Sequence, residues 1–175
     1  MKKLRTNIYL IGMMGSGKSA VGELAAERMQ MEFLDSDRSI EKIAGKKISE
    51  IFKTDGELHF REMERSFIKS GHPAHGCLVS CGGGLASIEG MADQLKSKGL
   101  VICLWANPET IYQRIKDDQN RPLLRVKNPL AEIQKLIEVR KEIYLNADLV
   151  IQTDKLTLSQ TVDTVISGQN SILED

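Results

Sequence analysis

A chain of 175 residues can form one domain with a real core and is too short for two comfortable ones. Its 24 Lys and Arg residues balance its 24 Asp and Glu residues, so no overall field favours a nucleic-acid or membrane partner. Cys77, Cys81 and Cys103 lack metal-ligand spacing and suggest reduced, buried thiols. We expect a single domain over residues 1–175 in the cytoplasm, with no nucleic-acid or membrane partner.

The predicted elements alternate between short apolar strands and amphipathic helices. Apolar runs predict strands at 7–11, 32–34, 77–80, 100–105 and 148–152. Helical spacing of apolar residues appears after the first strand, over 56–70, and after Pro129. The run 100–105 is apolar throughout, which is typical of a parallel strand buried on both faces. The alternation predicts a three-layer α/β domain with a mainly parallel sheet.

A phosphate-binding loop follows the first strand and opens the first helix. Residues 12–19 read GMMGSGKS and satisfy the pattern G-x-x-x-x-G-K-[S/T]. Glycines let successive N–H groups point at phosphate oxygens, and the helix that follows adds its positive dipole end. Lys18 would reach the β and γ phosphates, and Ser19 would offer a hydroxyl to Mg²⁺. The predicted ATP contacts in this loop are Gly12, Met13, Met14, Gly15, Ser16, Gly17, Lys18, Ser19 and Ala20.

The loop by itself does not identify the phosphate acceptor. The chain lacks the Asn-Lys-x-Asp run by which GTPases read guanine, and it has no room for motor domains. A small ATP-dependent phosphotransferase is therefore the favoured class.

Two polar segments at strand ends are candidates for the acceptor site. Asp35 and Asp37 follow the second strand, where alternation along an extended segment would place both carboxylates on one side. One could serve the Mg²⁺ shell and the other an acceptor hydroxyl; helix capping is the alternative for either. Residues 82–84, three glycines, follow the third strand and would offer backbone N–H donors. A flexible turn is the alternative for that run.

Three arginines could bind anionic groups. Arg61 lies in the helical pattern 56–70, Arg121 in the polar segment 117–128, and Arg140 in the long helix after Pro129. Guanidinium groups match the geometry of carboxylate and phosphoryl oxygens, although a surface charge is the alternative for each. The segment 117–128 lies between two helices, a natural place for a mobile flap.

Taken together, these features resemble the shikimate kinase family over residues 7 to about 153. The motifs agree in order and spacing: the loop 12–19, then FLDSD at 33–37, GE-x-x-FR-x-x-E at 56–64, S-x-GGG at 80–84, RPLL at 121–124, and R-x-x-x-Y-x-x-AD at 140–148. The resemblance implies the nucleoside monophosphate kinase fold, with a central five-stranded parallel sheet between helical layers and a mobile lid. It places the acceptor-binding region at about 35–70 and the lid at about 114–128.

The resemblance also implies an activity and residue roles. The activity is transfer of the ATP γ-phosphate, with Mg²⁺, to the 3-hydroxyl of shikimate in aromatic amino-acid biosynthesis. Shikimate would be held by Asp37, Arg61, Gly82, Gly83, Gly84 and Arg140. Asp37 would face the attacking hydroxyl, and the two arginines would pair with the substrate carboxylate.

The remaining implied roles concern the nucleotide and the metal. Asp35 with Ser19 would serve the metal's water shell, and Arg114 would flank the adenine. Arg121 would close over the phosphates, so the catalytic set would be Lys18, Asp37 and Arg121. A monomer is the family expectation. The alternatives are a kinase of another small hydroxy acid such as gluconate, and a non-catalytic kinase-like binding protein.

Overall fold

The computed structural model of the chain describes residues 6–118 and 125–174. Its centre is a sheet of five strands, all parallel, in the spatial order β2-β3-β1-β4-β5. The strands are β1 Asn7–Ile11, β2 Glu32–Asp35, β3 Cys77–Ser80, β4 Gly99–Trp105 and β5 Leu149–Gln152. The five-stranded parallel sheet expected from the sequence is confirmed, with strand ends within one residue of the predicted ones.

Helices cover both faces of the sheet. They are α1 Lys18–Met29, α2 Ser36–Ala44, α3 Ile48–Thr54, α4 Gly56–Ser70, α5 Met91–Lys98, α6 Pro108–Ile115, α7 Pro129–Leu145 and α8 Leu158–Glu174, with a 3₁₀ turn at Leu85–Ser87. The apolar pattern predicts neither α2 nor α3, because both are short and present few buried residues. Within the described ranges, no helix has the length and apolarity needed to cross a membrane.

The core is divided by the sheet into two clusters. Along β1, Ile8 and Leu10 face the cluster formed with α1 and α8, whereas Tyr9 and Ile11 face the cluster on the other side. All four side chains are at most 2% exposed. Since successive side chains of a strand point to opposite faces, this strand is buried on both. The predicted three-layer α/β/α architecture is confirmed.

The start of α2 differs from the sequence prediction. The segment after β2 does not continue as an extended strand through Asp37, because α2 begins at Ser36. Asp35 caps this helix: its Oδ1 accepts hydrogen bonds from the N–H groups of Asp37 (3.0 Å) and Arg38 (3.2 Å). An N-terminal aspartate satisfies helix N–H groups that otherwise lack partners. The predicted extended alternation of the two carboxylates is therefore wrong, and Asp37 lies in the first helical turn.

The topology brings three loops to one edge of the sheet. Because all strands are parallel, their carboxyl ends meet at the same edge, where open α/β sheets bind ligands. The loop 12–17 follows β1, Asp35 ends β2, and the glycines 82–84 follow β3. β1 and β2 are the two neighbours of β3 in the sheet. The acceptor candidates and the phosphate loop therefore face each other across adjacent strands.

Candidate active site

A cleft of about 240 Å³ opens at the carboxyl edge of the sheet. Both halves of the predicted site contribute to its lining, which consists of Met14, Gly15, Gly17, Lys18, Ser19, Ala20, Asp35, Asp37, Ser80, Cys81, Gly82 and Gly83. The volume suits small polar groups rather than a whole nucleotide. The structure thus brings the phosphate loop together in one cavity with Asp37, Gly82 and Gly83, three of the predicted acceptor-binding residues.

The backbone of the phosphate loop depends on its glycines. Gly12 has φ +140°, and a Cβ atom there would collide with the carbonyl oxygen of Leu104 on β4. Lys18 folds back over the loop, and its Nζ donates to the carbonyl oxygens of Gly12 (2.8 Å) and Met13 (3.0 Å). The ammonium group is largely buried. A cation held beside a glycine-rich loop that leads into a helix N-terminus is an arrangement suited to phosphate oxygens.

Oxygen ligands cluster beside the loop. Ser19 Oγ donates to Asp35 Oδ2 at 2.8 Å and lies 3.3 Å from Ser80 Oγ. Mg²⁺ prefers oxygen ligands. When it also binds substrate phosphates, the protein usually supplies only one or two of these ligands. In the described part of the chain, no group of three or more His, Cys, Asp or Glu side chains is arranged to hold a metal. The oxygen atoms of Ser19 and Asp35 fit a Mg²⁺ ion that also takes ligands from water and phosphate.

Asp37 faces the glycine run from the first turn of α2. A Cβ atom on Gly82 would lie 2.6 Å from Asp37 Oδ1, so the carboxylate is in close contact with this backbone. The Gly82 N–H donates to Ser36 Oγ at 2.8 Å, which fixes the loop against α2. Burial raises the pKa of Asp37, and the neighbouring Asp35 carboxylate raises it further. A carboxylate with a raised pKa beside a cleft is a candidate general base.

The α4 helix contributes a buried ion pair. Arg61 Nη1 donates to Glu64 Oε2 at 2.6 Å, while its Nε and Nη2 donate to Glu57 Oε1 at 3.3 and 3.1 Å. The guanidinium also lies against Gly84, where a Cβ atom would be 2.9 Å from Nη2. Arg61 is therefore not simply a charge on a solvated helix face. It stands beside the glycine run with Glu64 behind it.

Glu64 is a site residue whose environment sequence reasoning missed. Its side chain is 1% exposed, whereas the sequence offers a surface charge as the alternative role of its partner Arg61. Burial raises the pKa of Glu64 to about 7, against the opposing effect of Arg61. The signal was present in the spacing, because Phe60, Glu64 and Phe67 fall at i, i+4 and i+7 on the buried face of α4.

The α7 helix approaches the glycine run from the other side. Arg140 Nη1 donates to the Gly83 carbonyl oxygen at 3.2 Å and lies 3.8 Å from Met13 Sδ. Tyr144 Oη donates to the same carbonyl at 2.6 Å. Arg61 and Arg140, which are far apart in sequence, thus flank three consecutive glycines. The alternative reading of the glycines as a flexible turn does not fit this network.

Of the two arginines predicted to bind the nucleotide, Arg114 contacts the phosphate loop. The Arg114 guanidinium donates to the carbonyl oxygens of Gly15 (3.3 Å), Ser16 (3.4 Å) and Thr153 (3.0 Å). It therefore ties the phosphate loop to the segment after β5. Arg121 and the central part of the predicted lid, residues 119–124, lie outside the described residues.

The end of the last motif serves the fold. Asp148 Oδ2 accepts a hydrogen bond from the Val101 N–H at 2.8 Å, and the Asp148 N–H donates to the Val101 carbonyl at 2.9 Å. This pairing lies at the amino-terminal start of β5, away from the cleft. Asp148 therefore aligns β5 with β4. The three cysteines are buried free thiols, as the sequence suggests.

Known proteins resemble this chain both in sequence and in fold. A shikimate kinase from Sulfurihydrogenibium sp. (strain YO3AOP1) is 44% identical over 161 residues, covering 92% of this chain and 96% of that protein. The solved structure of a shikimate kinase from Acinetobacter baumannii in complex with shikimate superposes with a TM-score of 0.89 at 34% identity, covering 95% of this chain and 94% of the other.

A gluconokinase from Sinorhizobium meliloti 1021 also shares the fold. Its TM-score is 0.62 at 17% identity, covering 99% of this chain and 96% of that one. At this identity the likeness concerns the fold alone. The family profile described as "Shikimate kinase" matches residues 14–168, and with the relatives above it places the chain in the shikimate kinase family.

Proposed function

We propose that this protein transfers the γ-phosphate of ATP to the 3-hydroxyl of shikimate, giving 3-phosphoshikimate and ADP in aromatic amino-acid biosynthesis. One observation carries the proposal beyond family membership. The guanidinium groups of Arg61 and Arg140 flank the glycines 82–84, and Asp37 faces the same glycines beside the phosphate loop. Shikimate carries one carboxylate and several hydroxyls, and this arrangement supplies partners for both.

The donor half of the reaction rests on the phosphate loop. The N–H groups of residues 12–20 and the start of α1 would bind the phosphates, with Lys18 leaving its carbonyl partners to reach the β and γ oxygens. Ser19 and, through water, Asp35 would hold Mg²⁺. Bound there, the metal would neutralise charge on the phosphates. Arg114, already fixed to the loop, would lie along the adenine.

The acceptor half rests on Asp37. Its raised pKa suits a group that accepts a proton from a hydroxyl, and its position would orient that hydroxyl toward the γ-phosphate. Arg61 and Arg140 would pair with the shikimate carboxylate, and the N–H groups of the glycine run would bind hydroxyls. Fixing two reactants in line supplies much of the rate enhancement in phosphoryl transfer.

The lid completes the proposal. Arg121 would close over the phosphates and stabilise the charge that develops on the transferred phosphoryl group. Closure also excludes water, which would compete as the acceptor.

A coupled ADP-release assay over a panel of acceptors tests the proposed function. We expect turnover with shikimate and Mg²⁺-ATP, none with gluconate, and none in a Lys18→Ala variant purified in parallel. Turnover with gluconate and none with shikimate would show a kinase of a different hydroxy acid. No turnover with any acceptor, together with retained ATP binding, would instead support the non-catalytic binding protein.

Location and oligomeric state belong to the same proposal. The buried free thiols Cys77, Cys81 and Cys103 fit a reducing, cytoplasmic compartment. We propose a monomer that works on ATP and shikimate without nucleic acid. Sedimentation at micromolar concentrations should give the mass of one 19.5 kDa chain.

A further inference from the structure

The helix α6 packs directly against the phosphate loop. A Cβ atom on Gly15 would lie 2.6 Å from Ile115 Cγ2 and 3.3 Å from Ile111 Cγ2, so the loop backbone touches this helix. Both isoleucines belong to the core cluster and are at most 3% exposed. The loop therefore lies on a fixed apolar surface at this point.

The residue before Ile115, Arg114, binds the polar side of the same stretch of loop. Its Nη1 donates to the carbonyl oxygens of Gly15 (3.3 Å) and Ser16 (3.4 Å) and to Thr153 Oγ1 (3.2 Å), so its two N–H groups are shared among three acceptors. Its Nη2 donates to the Thr153 carbonyl oxygen at 3.0 Å. Thr153 is 2% exposed. The guanidinium edge is thus fixed between the loop and a buried residue.

These bonds set the direction in which the loop N–H groups point. In a planar trans peptide the carbonyl and the following N–H point in opposite directions. The Gly15 carbonyl lies on Arg114, while the Ser16 N–H of the same peptide donates to the Met13 carbonyl within the loop at 3.1 Å. The Ser16 carbonyl also lies on Arg114, so the next N–H, that of Gly17, points away from this guanidinium. Gly17 lines the cleft.

We propose that Arg114 is a positioning residue for the phosphate loop, which it keeps in the phosphate-binding conformation by holding the carbonyl oxygens of Gly15 and Ser16. This inference rests on the donor half of the proposed function and adds a role beyond contact with the adenine. A guanidinium donates from its edge and stacks on its face, so Arg114, which is exposed, serves the loop and the base together. It therefore contributes to phosphate affinity even when no base is present.

Tripolyphosphate separates the two roles of Arg114, because it carries the phosphates of ATP without the base. Calorimetry on the full chain measures binding of Mg²⁺-tripolyphosphate, Mg²⁺-ATP and shikimate. Arg114→Ala removes the charge and the hydrogen bonds, whereas Arg114→Lys keeps the charge without the planar set of donors. Arg65→Ala is the matched control, because Arg65 is also an exposed arginine on a helix and donates to a backbone carbonyl, that of Glu89 at 3.0 Å, outside the loop.

In both Arg114 variants we expect the Kd for Mg²⁺-tripolyphosphate to rise about tenfold, the effect of losing a hydrogen bond from a charged donor. The Kd for Mg²⁺-ATP rises at least as much, because the base contact is lost too. The Kd for shikimate stays within about twofold, since the acceptor residues are not in contact with Arg114. Arg65→Ala keeps all three values near wild type.

Two results would overturn the proposal. Unchanged tripolyphosphate affinity in Arg114→Ala would limit the residue to the base. A tripolyphosphate affinity that Arg114→Lys restores to the wild-type value would show that only the positive charge matters.

Amide hydrogen exchange of the ligand-free protein, followed by NMR, examines the loop itself. The Ser16 N–H, which is bonded to the Met13 carbonyl, should exchange at least about tenfold faster in both Arg114 variants, while the amides of β3 keep their wild-type rates. Unchanged Ser16 exchange in Arg114→Ala would also contradict the positioning role. Wild-type protein that binds tripolyphosphate but does not phosphorylate shikimate would overturn the proposed acceptor alone. Active wild-type protein whose Arg114 variants keep their tripolyphosphate affinity would overturn this inference alone.

Discussion

Glu64 is the residue at which burial and charge conflict most directly. It is an acid at 1% exposure, held by Arg61 on its own helix, with Asp37 across the glycine run adding a like charge. A Cβ atom on Gly82 would meet both Asp37 Oδ1 (2.6 Å) and Glu64 Oε1 (3.1 Å). Two carboxylates therefore share one short stretch of backbone, and both have a raised pKa because the charged form is poorly solvated there.

This environment predicts an unusual pH dependence of stability. The pKa of Glu64 is about 7 in the folded protein against an ordinary 4.5. Between these values the folded state binds more protons than the unfolded state, so the free energy of unfolding falls as pH rises, by up to about 1.4 kcal/mol per pH unit. Glu64→Gln lacks this contribution, and in urea unfolding from pH 5 to 8 it should lose less stability than wild type.

Glu62→Gln is the control for the Glu64 prediction, because Glu62 is exposed on the same helix. Its unfolding free energy should follow the wild-type pH curve. Parallel curves for wild type and Glu64→Gln would contradict the raised pKa.

A second prediction at this scale concerns what Asp37 does. Asparagine keeps the shape and can still orient a hydroxyl, but it cannot take a proton. If Asp37 is the base, Asp37→Asn lowers kcat at least about 100-fold, while shikimate affinity measured by calorimetry changes only a few-fold. Asp93→Asn, an exposed substitution in the first turn of α5, should leave both values unchanged. A near-wild-type kcat in Asp37→Asn would limit the residue to positioning.

At the scale of elements, α1 depends on a close approach to the sheet. A Cβ atom on Gly22 would lie 2.7 Å from Phe33 Cε2, 3.0 Å from Leu78 Cδ2 and 3.2 Å from Leu10 Cδ1. Glycine thus lets the helix that carries Lys18 and Ser19 pack directly on three strands. The position of the phosphate loop follows from this contact, because α1 begins at Lys18.

Helix propensity and core packing should have opposite effects on the stability of Gly22→Ala. Helix propensity alone would stabilise the variant by about 1 kcal/mol, whereas overpacking a dense core costs about 1–3 kcal/mol. We expect the packing cost to exceed the propensity gain, with a net loss of up to about 2 kcal/mol in chemical denaturation. Glu23→Ala, on the exposed face of the same helix, should change stability by less than about 0.5 kcal/mol. A stabilised Gly22→Ala would show that α1 can move away from the sheet without cost.

The two carboxylate oxygens of Asp35 explain why α2 begins directly after β2. The sequence run that ends β2 is continuous with α2, and no loop separates them. The carboxylate of Asp35 makes this possible, since Oδ1 caps α2 while Oδ2 accepts from Ser19. Capping and the proposed metal role, which sequence reasoning treats as alternatives for this residue, are therefore compatible, because capping engages Oδ1 and leaves Oδ2 on the side of Ser19.

At the scale of the whole molecule, one sheet supports both halves of the site. β1 carries the phosphate loop, and its neighbour β3 carries the glycine run. Arg114, through its hydrogen bonds to Thr153, connects the phosphate loop to the segment that follows β5 at one edge of the sheet. No part of the described site rests on a separately packed unit, so we expect the chain to unfold as one domain.

Cooperative unfolding can be checked with two probes. The single tryptophan, Trp105, ends β4 and reports on the sheet, while far-UV circular dichroism is dominated by the helices. In urea the two transitions should coincide, and saturating shikimate at about 100 times its Kd should move both together by about 2.7 kcal/mol. Separate midpoints would indicate that the acceptor-binding region 35–70 unfolds independently of the rest.

The sequence by itself determined the architecture and the donor chemistry. Short apolar runs, helical spacing and the loop 12–19 are local patterns, and the parallel alternation they imply already requires the strand ends to meet at one edge. The sequence also identified the candidate acceptor-binding residues, because they stand at those strand ends or in a motif of fixed spacing. They are Asp37, Arg61, Arg140 and the glycines 82–84.

Only the tertiary structure decided which of these polar groups contact each other and which are buried. Tyr144 and Gly83 are 61 residues apart, and nothing local records their hydrogen bond. The burial of Glu64 depends on how α4 packs on the glycine run, and the hydrogen bond from Ser19 to Asp35 depends on how α1 lies beside β2. Local patterns encode backbone conformation and the apolar face of an element, whereas the partner of a polar side chain is set by the packing of elements distant in sequence.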